Sequence, residues 1–314
     1  MKLRSVIAIS ALALTATVSQ AADFINVLTG GTSGVYYPLG VALSQLYGKV
    51  LPETKTSVQA TKASAENLNL LQAGRGEVAF SLGDTLNEAW KGNEEVGFKT
   101  PLKKLRTLAA IYPNYIHFLA NADAGIKTLA DLKGKRVSVG APKSGTELNS
   151  RDILKAVGMS YKDFAKVEYL GYAESVELIK NRQLDATLLS SGLGVAAVRD
   201  LATSVKIVVI PIPADVVTKI GEAAYQTGVI PANTYTGQTT DVPTVTVQNY
   251  LVTHEGVATD TVYKMTKVMF ENLDAMQAAH SAAKAINKDT AGIGSPVPLH
   301  PGAEKYYKEA GLLK

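Results

Sequence analysis

Residues 24–50 read FINVLTGGTSGVYYPLGVALSQLYGKV, and this stretch decides the architecture. Phe24 to Leu28 is a short, mostly apolar run with the look of a buried strand. Thr29 to Gly34 is a glycine-rich turn. From Tyr36 to Val50, Leu39, Leu43, Leu46, Tyr47 and Val50 recur near helical spacing, and Pro38 falls in the first turn, where its missing N–H is no loss. Working outward, Thr56 to Ala60 reads as a second strand. Ser64-Ala65-Glu66-Asn67 opens a second helix, Val78 to Leu82 is a third strand, and Asp84 caps a helix through Trp90. Strand, helix, strand, helix, strand is the grammar of a parallel sheet with helices on its faces.

A second series begins after about residue 117. It predicts strands at Arg136 to Gly140, Val167 to Leu170, Ala186 to Leu189 and Ile207 to Ile210. Helices fall at Thr146 to Val157, Ala173 to Asn181 and Val195 to Ala202. Two extended, β-branched joints, Leu108 to Ala120 and Val242 to Val252, separate the two series. After the second joint, helices are expected at Asp260 to Ala279 and Ala303 to Ala310. If these pack on the first unit, the chain crosses between units twice. Two crossings make a hinge, and ligands bind between strand ends in open α/β sheets.

The first residues carry a compartment signal. Lys2 and Arg4 precede an apolar run from Val6 to Val18, and Ser19-Gln20-Ala21 supplies the small residues that a signal peptidase reads. Cleavage after Ala21 is expected. Without Lys2 and Arg4, 30 Lys and Arg face 28 Asp and Glu, a net charge of +2. That balance argues against a nucleic-acid partner. The chain has no cysteine, so neither a disulfide nor a lipidated cysteine is available. An exported protein without an anchor is retained only beneath an outer membrane, which points to a Gram-negative periplasm.

Four small, polar turns sit at strand ends. Gly30-Gly31-Thr32-Ser33-Gly34 leads into a helix whose free N–H groups, with two hydroxyls, suit an anionic or polar group. Gly140-Ala141-Pro142-Lys143-Ser144-Gly145-Thr146 repeats the construction in the second unit. It is no phosphate loop, because the lysine precedes the second glycine instead of following it. Ser144 with Glu147 forms a capping box, which leaves N–H groups for a ligand. Ser64 with Asn67, and Ser190-Ser191-Gly192, complete the set. Catalytic constellations are missing: His117, His254, His280 and His300 are scattered, no G-x-S-x-G occurs, and no metal-ligand spacing is present. No enzyme, cofactor or metal is expected.

These stretches carry a resemblance. GGTSGVYYPLG (30–40), ATKASAENLNLLQAGRGEVAF (60–80), DTLNEAWKG (84–92) and GAPKSGTELNSRDILKAVG (140–158), with VPTVTVQNYLVT (242–253) and LHPGAEKYYKEAG (299–311), resemble the TAXI solute receptors of tripartite ATP-independent periplasmic (TRAP) transporters. The resemblance implies an α/β, two-lobed periplasmic binding protein of type II-like fold, with two parallel-rich sheets joined by two crossover strands. Lobe 1 would comprise residues 22–116 and 250–314, and lobe 2 residues 117–249, after a leader at 1–21. It implies a monomeric receptor that captures a small carboxylate, such as a glutamate-like or 2-oxo acid. Delivery would be to an ion-gradient-driven permease with small and large subunits, separate or fused. The alternative is a sensor subunit presenting its ligand to a signalling protein. The candidate ligand set is Gly31, Thr32, Ser33, Tyr36, Tyr37, Ser64, Asn67, Asp84, Ser144, Gly145, Thr146 and Ser191. Where the family often carries a glutamine shortly before the Asp84 position, this chain has Leu82.

Overall fold

The computed structural model describes residues 24–313; the leader expected at 1–21 lies outside the described residues. The first half runs β1 (Phe24–Leu28), α1 (Tyr36–Val50), β2 (Lys55–Gln59), α2 (Ser64–Gln72), β3 (Val78–Leu82) and α3 (Gly83–Lys91). A 17-residue strand, β4 (Leu105–Asn121), leads into the second half: β5 (Arg136–Ser138), α4 (Gly145–Ala156), β6 (Lys166–Glu168), α5 (Tyr172–Lys180), β7 (Ala186–Ser191), α6 (Ala196–Ser204) and β8 (Ile207–Ile210). Then come α7 (Asp215–Ile220), β9 (Tyr225–Ile230) and the return strand β10 (Val242–His254), followed by α8 (Thr259–Glu271), α9 (Leu273–Ala279), α10 (Lys288–Ala291) and α11 (Pro301–Glu309).

Within each half the short strands pair in parallel: β1 with β2 and β3, and β5 with β6 and β7. β4 and β10 lie antiparallel to each other and to their other neighbours. The sheet order is β2-β1-β3-β10-β4-β7-β5-β6, with β8 on β4 and β9 on β10. The two expected sheets are therefore one unbroken hydrogen-bonded ladder, because β10 pairs with β3 of the first half, β4 pairs with β7 of the second, and the two crossover strands pair with each other.

Burial follows the patterns that predicted the elements. β3 is buried at all five positions, as a strand covered on both faces must be. Leu39, Leu43, Leu46 and Tyr47 of α1 turn inward, at 2 % exposure or less, on one helical stripe. The last helices pack back against the first half: Phe270 stacks on Tyr306 at 5.6 Å, and Tyr307 donates to the Leu108 carbonyl at 2.9 Å.

Three expectations are corrected. The helix expected over Asp260 to Ala279 breaks at Asn272, which adopts φ −132°, ψ 40°. Asp84 is no cap. α3 begins one residue earlier, and Asp84 is fully buried in its first turn, accepting from its neighbour Thr85 N–H at 2.6 Å. The Ser144 box is half made: Ser144 accepts from Glu147 N–H at 3.1 Å, while the Glu147 carboxylate turns to Arg151 at 2.7 Å.

Candidate functional site: a cavity between the two halves

The parallel strands of both halves end around a cavity of about 430 Å³. Its wall is built from the turn after β1 (Gly30, Gly31, Gly34, Val35, Tyr36), the turn into α2 (Thr61 to Ser64) and Leu82 at the end of β3. The second half contributes Ala141, Pro142 and Ser144 to Thr146 at the start of α4, Tyr169, Gly171, Tyr172 and Glu174 around the start of α5, and Ser190 and Ser191 at the end of β7. Tyr112 and Asn114 from the middle of β4 close the back.

Seven of the candidate ligand residues meet in this wall: Gly31, Tyr36, Ser64, Ser144, Gly145, Thr146 and Ser191. Five do not. Thr32 is exposed, Tyr37 is half-buried outside the wall, and Ser33 offers its backbone carbonyl to Ala197 N–H at 3.4 Å. Asn67 is a buttress. Its amide donates to the carbonyls of Thr29 at 2.7 Å and Phe80 at 2.9 Å, and it accepts from Thr61 Oγ1 at 2.6 Å. It therefore ties the ends of β1 and β3 together behind the wall. Asp84 lies beneath the wall, at the contact between halves.

Sequence reasoning missed Lys62, Tyr112, Asn114, Tyr172 and Glu174. Ser190 belongs to a turn already singled out. The aromatic and amide residues on β4 gave no signal, because a strand that twists between two halves does not declare which face meets the cavity.

The wall is organised by hydrogen bonds that mostly consume acceptors. Tyr172 Oη donates to the Ser190 carbonyl at 2.6 Å and lies 3.0 Å from Thr146 Oγ1. Tyr36 Oη donates to Asn249 Oδ1 and its ring stacks on Phe80 at 4.8 Å. The Asn249 amide donates to the Tyr112 carbonyl at 2.8 Å and to Asn114 Oδ1 at 2.7 Å, and Asn114 donates to the Ser190 carbonyl at 2.7 Å. Ser64 Oγ accepts from Leu82 N–H at 3.2 Å, and Ser144 Oγ from Glu147 N–H. The Ser64 hydroxyl is turned to Tyr36 Oη; the Ser144 hydroxyl proton remains to be given, as do the N–H groups of the first turns of α2 and α4 ahead of Glu66 and Glu147. Lys62 is the lining cation, exposed at the mouth. Glu174, the lining acid, is exposed and its Oε2 accepts from Gly171 N–H at 3.0 Å. Burial pushes the Tyr172 hydroxyl up to about 12 and raises those of Tyr36 and Tyr112 well above the usual tyrosine value. All three are neutral donors at physiological pH.

The halves touch beside the cavity. A Cβ placed on Gly145 of α4 would come 2.6 Å from both Leu82 Cδ1 and Ser64 Oγ of the first half. Glu66 N–H donates to the Lys143 carbonyl at 3.2 Å, and Arg151 to the Glu95 carbonyl at 3.0 Å. Deeper in, Asp84 Oδ2 accepts from Asn149 at 2.6 Å and from Tyr225 Oη at 2.9 Å, and Tyr225 Oη lies 2.7 Å from Asp152. Burial pushes the Asp84 carboxyl up to about 7; the Thr85 N–H opposes this, and the nearby charges of Asp152 and Glu222 add to it. Among the described residues, no group of three or more His, Asp or Glu side chains is placed to hold a metal ion, and no helix is long and apolar enough to cross a membrane.

Solved structures share this architecture. MatC from Rhodopseudomonas palustris, with bound malate, superposes with a TM-score of 0.59 at 13% identity, over 92% of this chain and 97% of that one. PhnD1 from Prochlorococcus marinus, in complex with methylphosphonate, gives 0.58 at 12% identity, over 93% and 100%. A putative L-cystine ABC transporter protein from Listeria monocytogenes gives 0.53 at 16% identity, over 84% and 98%. The chain has the two-lobed α/β fold of periplasmic binding proteins. Its sequence matches one family over residues 27–311, nearly the whole described chain, and the protein belongs to that family, the NMT1-like family.

Proposed function

We propose that this protein is a periplasmic solute-binding receptor that closes two lobes on a small carboxylate and delivers it to a membrane permease. The observation that carries the reading is the donor-rich cavity between the halves. The starts of α2 and α4 face it from opposite sides, with Ser64, Ser144 and Thr146 beside them. Free N–H groups and a helix dipole at each start favour an anion. The lining acid is exposed at the mouth and opposes nothing inside. The anions bound in two solved structures of the same fold, malate and methylphosphonate, agree with that electrostatic sense. A receptor needs no catalytic group, and the reading is of a non-enzymatic protein.

The finer assignment is a TAXI-type receptor for a TRAP permease, exported by a leader cleaved after Ala21. Lobe 1 spans 22–116 and 250–314, and lobe 2 spans 117–249. In the ligand set, Thr61, Lys62, Ala63, Tyr112 and Tyr172 join the seven wall residues, and Thr32, Ser33, Tyr37, Asn67 and Asp84 leave it. A thermal-shift screen of small mono- and dicarboxylates, 2-oxo acids and amino acids tests the ligand class. A ligand at 100 times its Kd adds about 2.7 kcal/mol of stability, so at least one carboxylate is expected to raise Tm by several degrees. A panel in which no carboxylate does so refutes the reading. Uptake of the verified ligand that survives ATP depletion but collapses with the ion gradient identifies the permease type.

A further inference from the structure

Four tyrosine rings line the cavity, and the hydroxyl protons of the three that are not exposed, Tyr36, Tyr112 and Tyr172, have different fates. The Tyr36 proton is committed to Asn249 Oδ1 and the Tyr172 proton to the Ser190 carbonyl. Tyr112 is 1 % exposed, and its hydroxyl has no hydrogen-bond partner among the described residues. Its backbone is pinned, because its carbonyl accepts from Asn249 at 2.8 Å and β4 pairs with β10 through Ala110 and Pro113 on either side. Its ring lies close against Gly192, where an added Cβ would meet Tyr112 Cε2 at 3.3 Å. A rigid, buried donor in a cavity wall, with no protein acceptor, is worth most to a ligand that supplies one.

We propose that Tyr112 is the specificity-determining residue of this site, donating its hydroxyl proton to a second oxygen-bearing group of the ligand. This rests on the carboxylate reading above and narrows it. The favoured ligands carry, besides the carboxylate held at the helix starts, a carbonyl, hydroxyl or second carboxylate oxygen directed at the back of the cavity. A site that aims a buried donor at a ligand oxygen discriminates against analogues lacking that oxygen, because the donor is then left unpaired.

The test compares wild type with Tyr112→Phe, using 2-oxoglutarate, L-malate and L-glutamate as oxygen-rich probes and pentanoate as the oxygen-poor one. Calorimetry is expected to show a loss of about tenfold or more in affinity for whichever oxygen-rich probes bind wild type, with pentanoate unchanged. Thermal unfolding without ligand is expected to be unchanged or slightly improved, since a buried, unpaired hydroxyl is being removed. Tyr47 is the control: its hydroxyl is also buried and unpartnered but lies outside the cavity wall, so Tyr47→Phe leaves every affinity alone. Wild-type affinities in Tyr112→Phe overturn the specificity role while leaving the receptor reading intact. A drop in Tm without ligand assigns the hydroxyl to the fold and overturns it as well. If wild type binds none of the three oxygen-rich probes but binds pentanoate, the inference fails alone; if it binds no carboxylate at all, both readings fail.

Discussion

At the scale of single residues, the site separates groups that face the ligand from groups that hold those groups still. Thr146 stands in the wall; because the Tyr172 proton goes to the Ser190 carbonyl, Thr146 Oγ1 donates to Tyr172 Oη at 3.0 Å, and a bound ligand draws that proton by displacing this contact. Thr146→Ala is expected to weaken binding about tenfold, the worth of one hydrogen bond to a charged partner, whereas Thr32→Ala, at an exposed position outside the wall, leaves it unchanged; calorimetry on both variants decides. Asp84 carries a pH signature. Its carboxyl holds a proton up to about pH 7 in the fold, whereas an unfolded aspartate releases it near 3.9. Between those values the folded state binds more protons, so this group's contribution to stability is full below about pH 4 and is lost as pH rises through about 7. Asp84→Asn removes that dependence. Scanning Tm at pH 5 and pH 8 is expected to show the variant gaining on wild type at the higher pH. A constant difference would mean that Asp84 is ionised in the fold.

At the scale of elements, the sequence was legible where periodicity was strong and mute where contact decided. α1 was read at Tyr36–Val50 and begins and ends there, because its apolar stripe and its glycine turn agree. The crossovers were visible as long β-branched runs, yet they extend further than read, to Leu105–Asn121 and Val242–His254. β9 escaped notice. Its YQTGVI exposes three of six positions, so its apolar content is thin, and only pairing with Val242 to Val247 fixes it as a strand. The break at Asn272 was equally hidden, since an asparagine within an apolar pattern costs a helix little by propensity alone. The turns that build the site were recognised as turns. Which of their side chains point inward depends on how two halves meet, and no local pattern carries that.

At the scale of the whole molecule, the close fit of α4 to the first half makes Gly145 a gauge of lobe closure. Gly145→Leu inserts a side chain where a single Cβ already lies 2.6 Å from Leu82 and Ser64. The variant is expected to fold, because Gly145 has no left-handed φ and, besides the core that spans both halves, apolar clusters lie around Leu68, Leu86 and Phe98 in the first half and around Leu132, Val137 and Ile153 in the second. It is expected to bind at least tenfold more weakly. Solution scattering with a verified ligand is expected to show wild type contracting while Gly145→Leu keeps its ligand-free radius of gyration. Contraction of both would place the closing contact elsewhere.

The connection between the halves is itself a paired ladder. β4 and β10 are bonded to each other from Thr246–Tyr115 to His254–Leu105, with register shifts between Gln248 and Tyr250 and between Leu251 and Val252. Loop hinges swing freely because nothing is stretched when they turn. A ribbon of sheet behaves as a leaf spring: bending it deforms hydrogen bonds, and the deformation pulls back. The register shifts are where such a ribbon is most compliant. Opening about such a ribbon is expected to be small in angle and self-limiting, and hydrogen exchange is expected to find the amides on either side of the shifts protected.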